Sequence, residues 1–366
     1  MTAARLSIFL PSLAGGGAER AIATVASGLA ARGVSVSLVL ASASGPYLGS
    51  LHPSIKVVDL KSNSVLGAVP GLVRHLREQR PAALLAAMSH ANVVAALAHR
   101  LAGSMARLVL SERVHLSSTL AGSPGLRVRM THALMRPTYP WADCIVTVAE
   151  GVASDLLKHI SVKPDRVVTI YNPIVDDSLL AQSREVPAHP WLAGGDVPVV
   201  LAAGRLTAQK DFVTLLDAFA LLRRQRSVRL VILGEGELRA ALLSRAEHLG
   251  VADDVALPGF DANPFAAMRA ADVFVLSSRF EGLPGVLVQA MACGTRVVAT
   301  DCPSGPGEVL EGGRWGRLVP VGDAAVLAAA VAAALDDPMP PDVCKRASMF
   351  SVDAAVSRYA EVLGLG

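Results

Sequence analysis

The chain has 366 residues, more than the roughly 250–300 at which a single core stops growing, so two domains are expected. Hydrophobic residues make up 52% and charged residues 18%, which excludes a disordered chain, and aromatics at 4% leave Ala, Val and Leu to build the core. The net charge of +3 hides an asymmetry: residues 1–172 hold 17 Lys and Arg against 8 Asp and Glu, and the remainder 17 against 23, so the first half is expected to face something anionic.

From the N-terminus, RLSIFL reads as a strand running into the glycine loop PSLAGGGAER rather than as a signal peptide. The segments VSVSLVLA, IKVVDL, AALLAAM, ARLVLSE, DCIVTVA and RVVTIYN follow, separated by Ala-, Leu- and Arg-rich helical patterns; that alternation predicts βαβ units and a parallel sheet. After Asn172-Pro173 the stretch DDSLLAQSREVPAHPWLAGGD reads as a linker. The rhythm restarts with VPVVLAAG, VRLVILG, DVALPG, DVFVLSS, TRVVAT and GRLVPV, predicting a second doubly wound sheet and a cleft between the two. FSVDAAVSRYAEVL predicts a closing amphipathic helix with Ser351 as its cap. The expected domains are 1–172, 173–350 and the closing helix 351–366. The longest apolar runs, 82–98 and 324–335, are too interrupted or too short to span a bilayer. Cys144, Cys293, Cys302 and Cys344 show no metal-ligand spacing and read as reduced thiols of a cytoplasmic protein.

Ligands of open α/β sheets bind beyond the carboxyl ends of strands, which directs attention to the loops. Gly15, Gly16 and Gly17 would let backbone amides approach a phosphate or sugar, with Glu19 in the first helical turn. A dinucleotide site would need a carboxylate ending the second strand; Val39, Leu40, Ala41 and Ser42 stand there instead, which argues against a dehydrogenase. In GRLTAQKDF, Arg205 and Lys210 leave one strand end five residues apart, suited to gripping a diphosphate as fork and point charge. LGEGEL brackets Glu235 with Gly234 and Gly236. In FEGLPGVLVQAMACG, Glu281 precedes a helix expected from about Pro284 to Cys293, beside the amides of Gly282 and Leu283; a carboxylate next to an anion site suits the hydroxyls of a sugar carried by that anion.

Together, GGGAER, GRLTAQKDF, LGEGEL and FEGLPGVLVQAMACGTRVVATDCPSGPGEVL resemble the GT-B glycosyltransferases of family 4, retaining enzymes that use nucleotide sugars. The resemblance implies an α/β GT-B fold of two doubly wound Rossmann-like domains facing an interdomain cleft, the first binding acceptor and the second donor. It implies that Arg205 and Lys210 hold the donor diphosphate, that Glu281 holds the donor sugar as the first glutamate of an E-x7-E motif, and that Gly16, Gly17, Gly204, Gly234, Gly282 and Leu283 line the donor. The second glutamate is replaced by Gln289, an amide that still bonds a ribose diol but carries no charge. The resemblance also implies an N-domain histidine that contacts the donor sugar; His115 is taken for it ahead of His90 and joins Arg205, Lys210 and Glu281 as an expected catalytic residue.

The implied chemistry is transfer of a sugar, with a UDP-sugar as the expected donor, to a glycan or polyprenyl-linked acceptor in bacterial surface polysaccharide synthesis. No metal or other cofactor is expected, since no DxD motif occurs, and no nucleic-acid partner is expected. Glu19, Arg113, Arg129 and Arg136 are acceptor or membrane candidates. Arg129, His132 and Arg136 share a helical face followed by Tyr139 and Trp141, a pattern suited to a peripheral contact with an anionic membrane. A GT-B epimerase or phosphorylase and a non-catalytic sugar-nucleotide binder are the alternatives.

Overall fold

A computed structural model describes residues 5–14, 17–121, 125–303 and 305–365. The chain divides into two compact units: one runs to Pro173 and is rejoined by the chain from Val352 onward, and the other is Ile174–Ser351.

The first unit comprises β1 (Arg5–Leu10), α1 (Gly17–Ala31), β2 (Ser35–Leu40), β3 (Lys56–Asp59), α2 (Val69–Gln79), β4 (Ala83–Ala87), α3 (Ser89–Ala102), β5 (Arg107–Glu112), α4 (Leu116–Ala121), α5 (Leu126–Thr138), β6 (Cys144–Thr147), α6 (Glu150–His159) and β7 (Val167–Thr169). The second comprises α7 (Asp177–Gln182), β8 (Val199–Ala203), α8 (Phe212–Arg223), β9 (Arg229–Leu233), α9 (Arg239–His248), β10 (Val255–Gly259), α10 (Pro264–Ala270), β11 (Val273–Leu276), α11 (Gly285–Ala292), β12 (Arg296–Thr300), α12 (Pro306–Val309), β13 (Arg317–Val319), α13 (Ala324–Leu335) and α14 (Val343–Ala347). α15 (Val352–Leu363) follows and belongs to the first unit.

Both sheets are parallel. Their orders are β3-β2-β1-β4-β5-β6-β7 and β10-β9-β8-β11-β12-β13. β1 is in register with β2 through Leu6↔Val36 and with β4 through Leu6↔Ala83, while β8 pairs with β9 through Val200↔Leu230 and with β11 through Val200↔Val273. Every residue of β4 and β8 is buried, as expected of central parallel strands covered on both faces. In each sheet the chain reverses direction once, between β1 and β4 in the first and between β8 and β11 in the second, and these switch points are where open α/β sheets make their crevices.

Local signals set the element ends. The Asp323 carboxylate accepts from the Val326 amide at 2.9 Å and starts α13, and Gly103, at φ +62°, closes α3. The stretch read as a linker contains a helix: the Asp176 carboxylate caps α7 by accepting from the Leu179 amide at 2.7 Å. α15 packs on α1, where a Cβ at Gly28 would stand 2.4 Å from a Val356 methyl, so only glycine permits the contact. Val356, Tyr359 and Leu363 are buried there, at about 1.5–3 kcal/mol for each large apolar side chain.

Candidate active site

The second unit gathers the expected donor residues at its switch point. After β8 the chain passes Gly204 and Arg205, turns through Thr207–Lys210, where the Lys210 amide donates to the Thr207 carbonyl at 3.1 Å, and enters α8 through Asp211. After β11 it runs through Ser277, Ser278 and Arg279 to Glu281 before α11. The two loops meet: the Lys210 ammonium donates to Glu281 Oε1 at 2.6 Å, and the Ser278 hydroxyl donates to the same oxygen at 2.6 Å. The Lys210 side chain is 17% exposed and that of Glu281 9%. Arg205 is exposed and makes no ion pair or side-chain hydrogen bond among the described residues, so its guanidinium is available to an anion.

Glycines make the floor. A Cβ on Gly204 would lie 3.2 Å from Lys210 Cε, so the lysine stem lies across that glycine. Gly234, at φ +132°, lies so close to Gly204 that a Cβ would be 2.0 Å from the Gly204 carbonyl oxygen. The Leu206 amide donates to the Glu235 carbonyl at 2.9 Å and ties the β9 loop to the β8 loop. Beyond β12, a Cβ on Gly305 would stand 2.3 Å from the Gly282 carbonyl oxygen, so the residues before α11 are shaped by a third loop. Pro284 is the residue before α11 and Gly294, at φ +85°, follows it. Gln289 is half-buried on α11, two turns from Glu281.

Burial, and after it the Glu281 carboxylate, pushes the Cys302 thiol up to about 11, which keeps it from acting as a thiolate. Among the described residues no group of three His, Cys, Asp or Glu is placed to hold a metal ion.

In the first unit the switch point lies between β1 and β4. Gly16 lies outside the described residues; Gly17 begins α1, and a Cβ there would meet nothing within 4 Å. His90 stands in the first turn of α3, directly after β4; burial lowers its pKa, partly offset by the Glu19 carboxylate of α1. His115 follows β5, one strand away, and its Nδ1 is 3.4 Å from Asp155 Oδ2 on α6. Asp155 also accepts from the Ser117 amide at 3.0 Å and from the Ser117 hydroxyl, and lies 3.7 Å from His159 Nε2. Burial would raise the Asp155 carboxyl, but the Ser117 bonds and His115 outweigh it and hold it below the usual carboxylate range.

Glu112, at the end of β5, is fully buried, and burial raises its pKa against the pull of four donors. The Ser89 hydroxyl (2.9 Å) and the Arg113 and Val114 amides (3.0 and 3.4 Å) reach Oε1, and the Tyr139 hydroxyl reaches Oε2 at 2.6 Å. Arg113 donates to the Ser111 hydroxyl at 3.3 Å and to the Asn172 amide oxygen. The sequence pattern suggests that Tyr139 faces a membrane; it is instead a core residue, also taking a bond from Asn92 at 3.0 Å, and Trp141 lies under the Arg100 guanidinium at 4.9 Å. Arg129 and Arg136 are exposed on α5. Asp211, Arg279, Asp155 and Glu112 carried no sequence motif that marked them, because Arg279, Ser117 and Tyr139, which engage them, lie far along the chain; Ser278 lies three residues from Glu281, but a lone serine at a strand end is no signal.

Two parallel doubly wound sheets, with Lys210 and Glu281 joined beside a glycine floor at the switch point of the second, are the architecture of the GT-B glycosyltransferases. Residues 15–178 match the model of Glycosyltransferase Family 4, and residues 197–337 that of Glycosyl transferases group 1. The chain is 30% identical over 334 residues, 87% of this chain and 86% of the relative, to the N-acetylgalactosamine-N,N'-diacetylbacillosaminyl-diphospho-undecaprenol 4-alpha-N-acetylgalactosaminyltransferase of Campylobacter jejuni. Among solved structures it is similar to a glycosyltransferase from Rickettsia africae (TM-score 0.80, 16% identity, 99% of this chain and 98% of that one). It is also similar to Anabaena HepE in complex with UDP and glucose (TM-score 0.75, 22% identity, 99% of both chains). The chain belongs to glycosyltransferase family 4.

Proposed function

We propose that this glycosyltransferase moves a hexose-type sugar, with retention, from a UDP-sugar to a polyprenyl-linked glycan, working as a peripheral protein on an anionic membrane face. The observation that carries the donor half is the Lys210–Glu281 contact at the β8/β11 switch point, with Arg205 exposed beside it. In this reading Arg205 and Lys210 neutralise the charge that develops on the leaving diphosphate, the group that most needs stabilising when a glycosidic bond to phosphate breaks. Glu281 accepts from the sugar hydroxyls, with Ser278 fixing the carboxylate. Gln289 bonds the ribose as a neutral donor and acceptor. The departing phosphate takes the proton of the acceptor hydroxyl as that oxygen attacks from the same face, so no protein nucleophile is required.

UDP is favoured as the nucleotide because the fold is shared with a protein that binds UDP. A lipid-linked acceptor is favoured by the Campylobacter relative, whose name specifies a diphospho-undecaprenol substrate. The membrane contact is supported by α5, which exposes Leu126 (74%) and Met130 (55%) beside Arg127, Arg129 and Arg136 and carries no acidic residue. α5 borders a mainly apolar groove of about 620 Å³ that Val65, Leu66, His90 and Val94 also line, with Arg127 as its one arginine. No helix among the described residues is long and apolar enough to cross a membrane.

A thermal-shift screen of UDP, GDP and ADP and their sugars tests the donor assignment, since ligands of the folded state raise the midpoint. A selective shift by UDP species is expected. A shift by GDP or ADP alone overturns the base, and no shift by any nucleotide overturns the donor site.

A further inference from the structure

The two donor loops are joined by more than Lys210 and Glu281. The Ser277 hydroxyl donates to the Lys210 carbonyl at 2.7 Å, the Arg279 amide to the Gln209 carbonyl at 2.8 Å, and the Gln209 side-chain amide to the Phe280 carbonyl at 3.0 Å. At the end of this seam stands Asp211, 3% exposed, with left-handed backbone at φ 50° and ψ 45°. Such a conformation favours glycine or asparagine and is paid for by whatever the side chain then does. Here the side chain is fully engaged. Oδ2 lies 3.0 Å from Arg279 Nε, Oδ1 accepts from Arg279 Nη2 at 3.2 Å, and the Thr214 hydroxyl donates to Oδ2 at 2.9 Å.

The pairing is a fork grip between a buried carboxylate and a guanidinium, which fixes direction as well as distance. Glycine would satisfy this backbone with less strain, and asparagine would satisfy Thr214 as well; neither would hold Arg279. A carboxylate is therefore placed where only the arginine of the other loop makes use of its charge. Asp211 is the neighbour of Lys210, and Arg279 precedes Glu281 by two residues, so the grip sets the spacing of the pair assigned to the diphosphate and the sugar.

We propose that Asp211 and Arg279 are positioning residues that lock the β8 loop to the β11 loop and so aim the Lys210 ammonium at the donor diphosphate. The inference rests on the donor-site reading above. It concerns aim rather than contact: the two side chains touch each other, and Lys210 meets the ligand.

The test uses the full chain with Asp211→Asn, Asp211→Gly, Arg279→Gln and the double variant Asp211→Asn/Arg279→Gln. Binding is measured for the nucleoside diphosphate that the wild type selects from UDP, GDP and ADP, and for the corresponding nucleoside by ligand-observed NMR. Each single variant is expected to weaken the diphosphate about tenfold and the nucleoside less than about twofold, and the double variant is expected to be no worse than either single one, as coupled residues require. Asp211→Gly relieves the left-handed strain but deletes the bonds to Arg279 and Thr214 and loosens the unfolded chain, so it is expected to lose diphosphate affinity as Asp211→Asn does. Wild-type affinity in folded Arg279→Gln overturns the proposal. So does an equal loss for nucleoside and diphosphate, or additive losses in the double variant. Arg279 is half-exposed, so its variant decides the matter if the Asp211 variants fail to fold. A wild type that binds none of the three diphosphates refutes the donor site itself, a different result from a wild type that binds and variants that match it.

Discussion

Lys210 and Glu281 lie 71 residues apart in sequence and 2.6 Å apart in space, each at the carboxyl end of a strand flanking the switch point of the second sheet. The cation assigned to the diphosphate and the carboxylate assigned to the sugar thus satisfy each other, and their separate roles are read from how each substitution divides its effect between stability, turnover and diphosphate affinity.

Replacing Lys210 by Met leaves a 9%-exposed carboxylate with only the Ser278 hydroxyl, a loss of about 1–3 kcal/mol for an under-satisfied buried group. A lower melting midpoint and strongly reduced kcat/KM are expected together. Glu281→Gln keeps an oxygen for Ser278 and Lys210, so its midpoint should fall less, its sugar turnover should fall sharply, and its affinity for the nucleoside diphosphate should change by less than about threefold. Calorimetry and steady-state kinetics on both variants check the split; equal loss of diphosphate affinity in Glu281→Gln would contradict the division of roles.

Glycines of the floor divide by what stands over them. Gly234→Ala puts a methyl 2.0 Å from the Gly204 carbonyl at a positive φ, so a loss of roughly 2–4 kcal/mol and of donor binding is expected. Gly282→Ala meets nothing within 4 Å, and its stability should stay within about 0.5 kcal/mol of the parent. Urea denaturation of the two proteins side by side distinguishes them.

The carboxylates at the two ends of the Arg113–Ser117 segment should show opposite pH signatures. Asp155 is held below its ordinary value in the folded chain, so its stabilisation is present above the unfolded value of about 3.9 and is lost as pH falls through the folded one. Glu112 is raised, so its contribution is present below the unfolded value and is lost as pH rises through the folded one. The stability gap between the parent and Asp155→Asn should therefore close as pH falls below about 4, whereas Glu112→Gln should gain on the parent as pH rises from about 4 to 7. Denaturant titrations across that range read both trends, and parallel curves for either variant would refute its assignment.

The thirteen strands among the described residues were legible as apolar or β-branched runs, most plainly β4 and β8, which are covered on both faces and have no solvent side to interrupt them. Lys210 and Glu281 were legible because each leaves such a run beside glycines. Asp211 was not: nothing in QKDF marks its left-handed backbone, and its need for charge appears only with Arg279 in place. Tyr139 was misplaced because helical spacing shows which residues share a face, not what covers that face; Glu112 and Asn92 cover it. The helix α7 was hidden in a Pro- and Gly-rich stretch, where Asp176 alone signalled its start.

What remains exposed on α5 sets the last prediction. Leu126, Met130 and Leu134 recur every four residues and so line one stripe, with Arg127, Arg129 and Arg136 on the same short helix. A basic side chain near an anionic lipid surface contributes about 1 kcal/mol, so replacing the three arginines by Gln should weaken binding to phosphatidylglycerol vesicles roughly a hundredfold at low salt. Met130→Ser/Leu134→Ser should weaken it at high salt as well, where screening leaves the apolar term. Donor binding, assigned above to the second unit, should be unchanged in both variants. Vesicle flotation at two ionic strengths separates the terms; a parent chain that fails to float at low salt refutes the membrane contact, and arginine variants that float like the parent remove α5 from it.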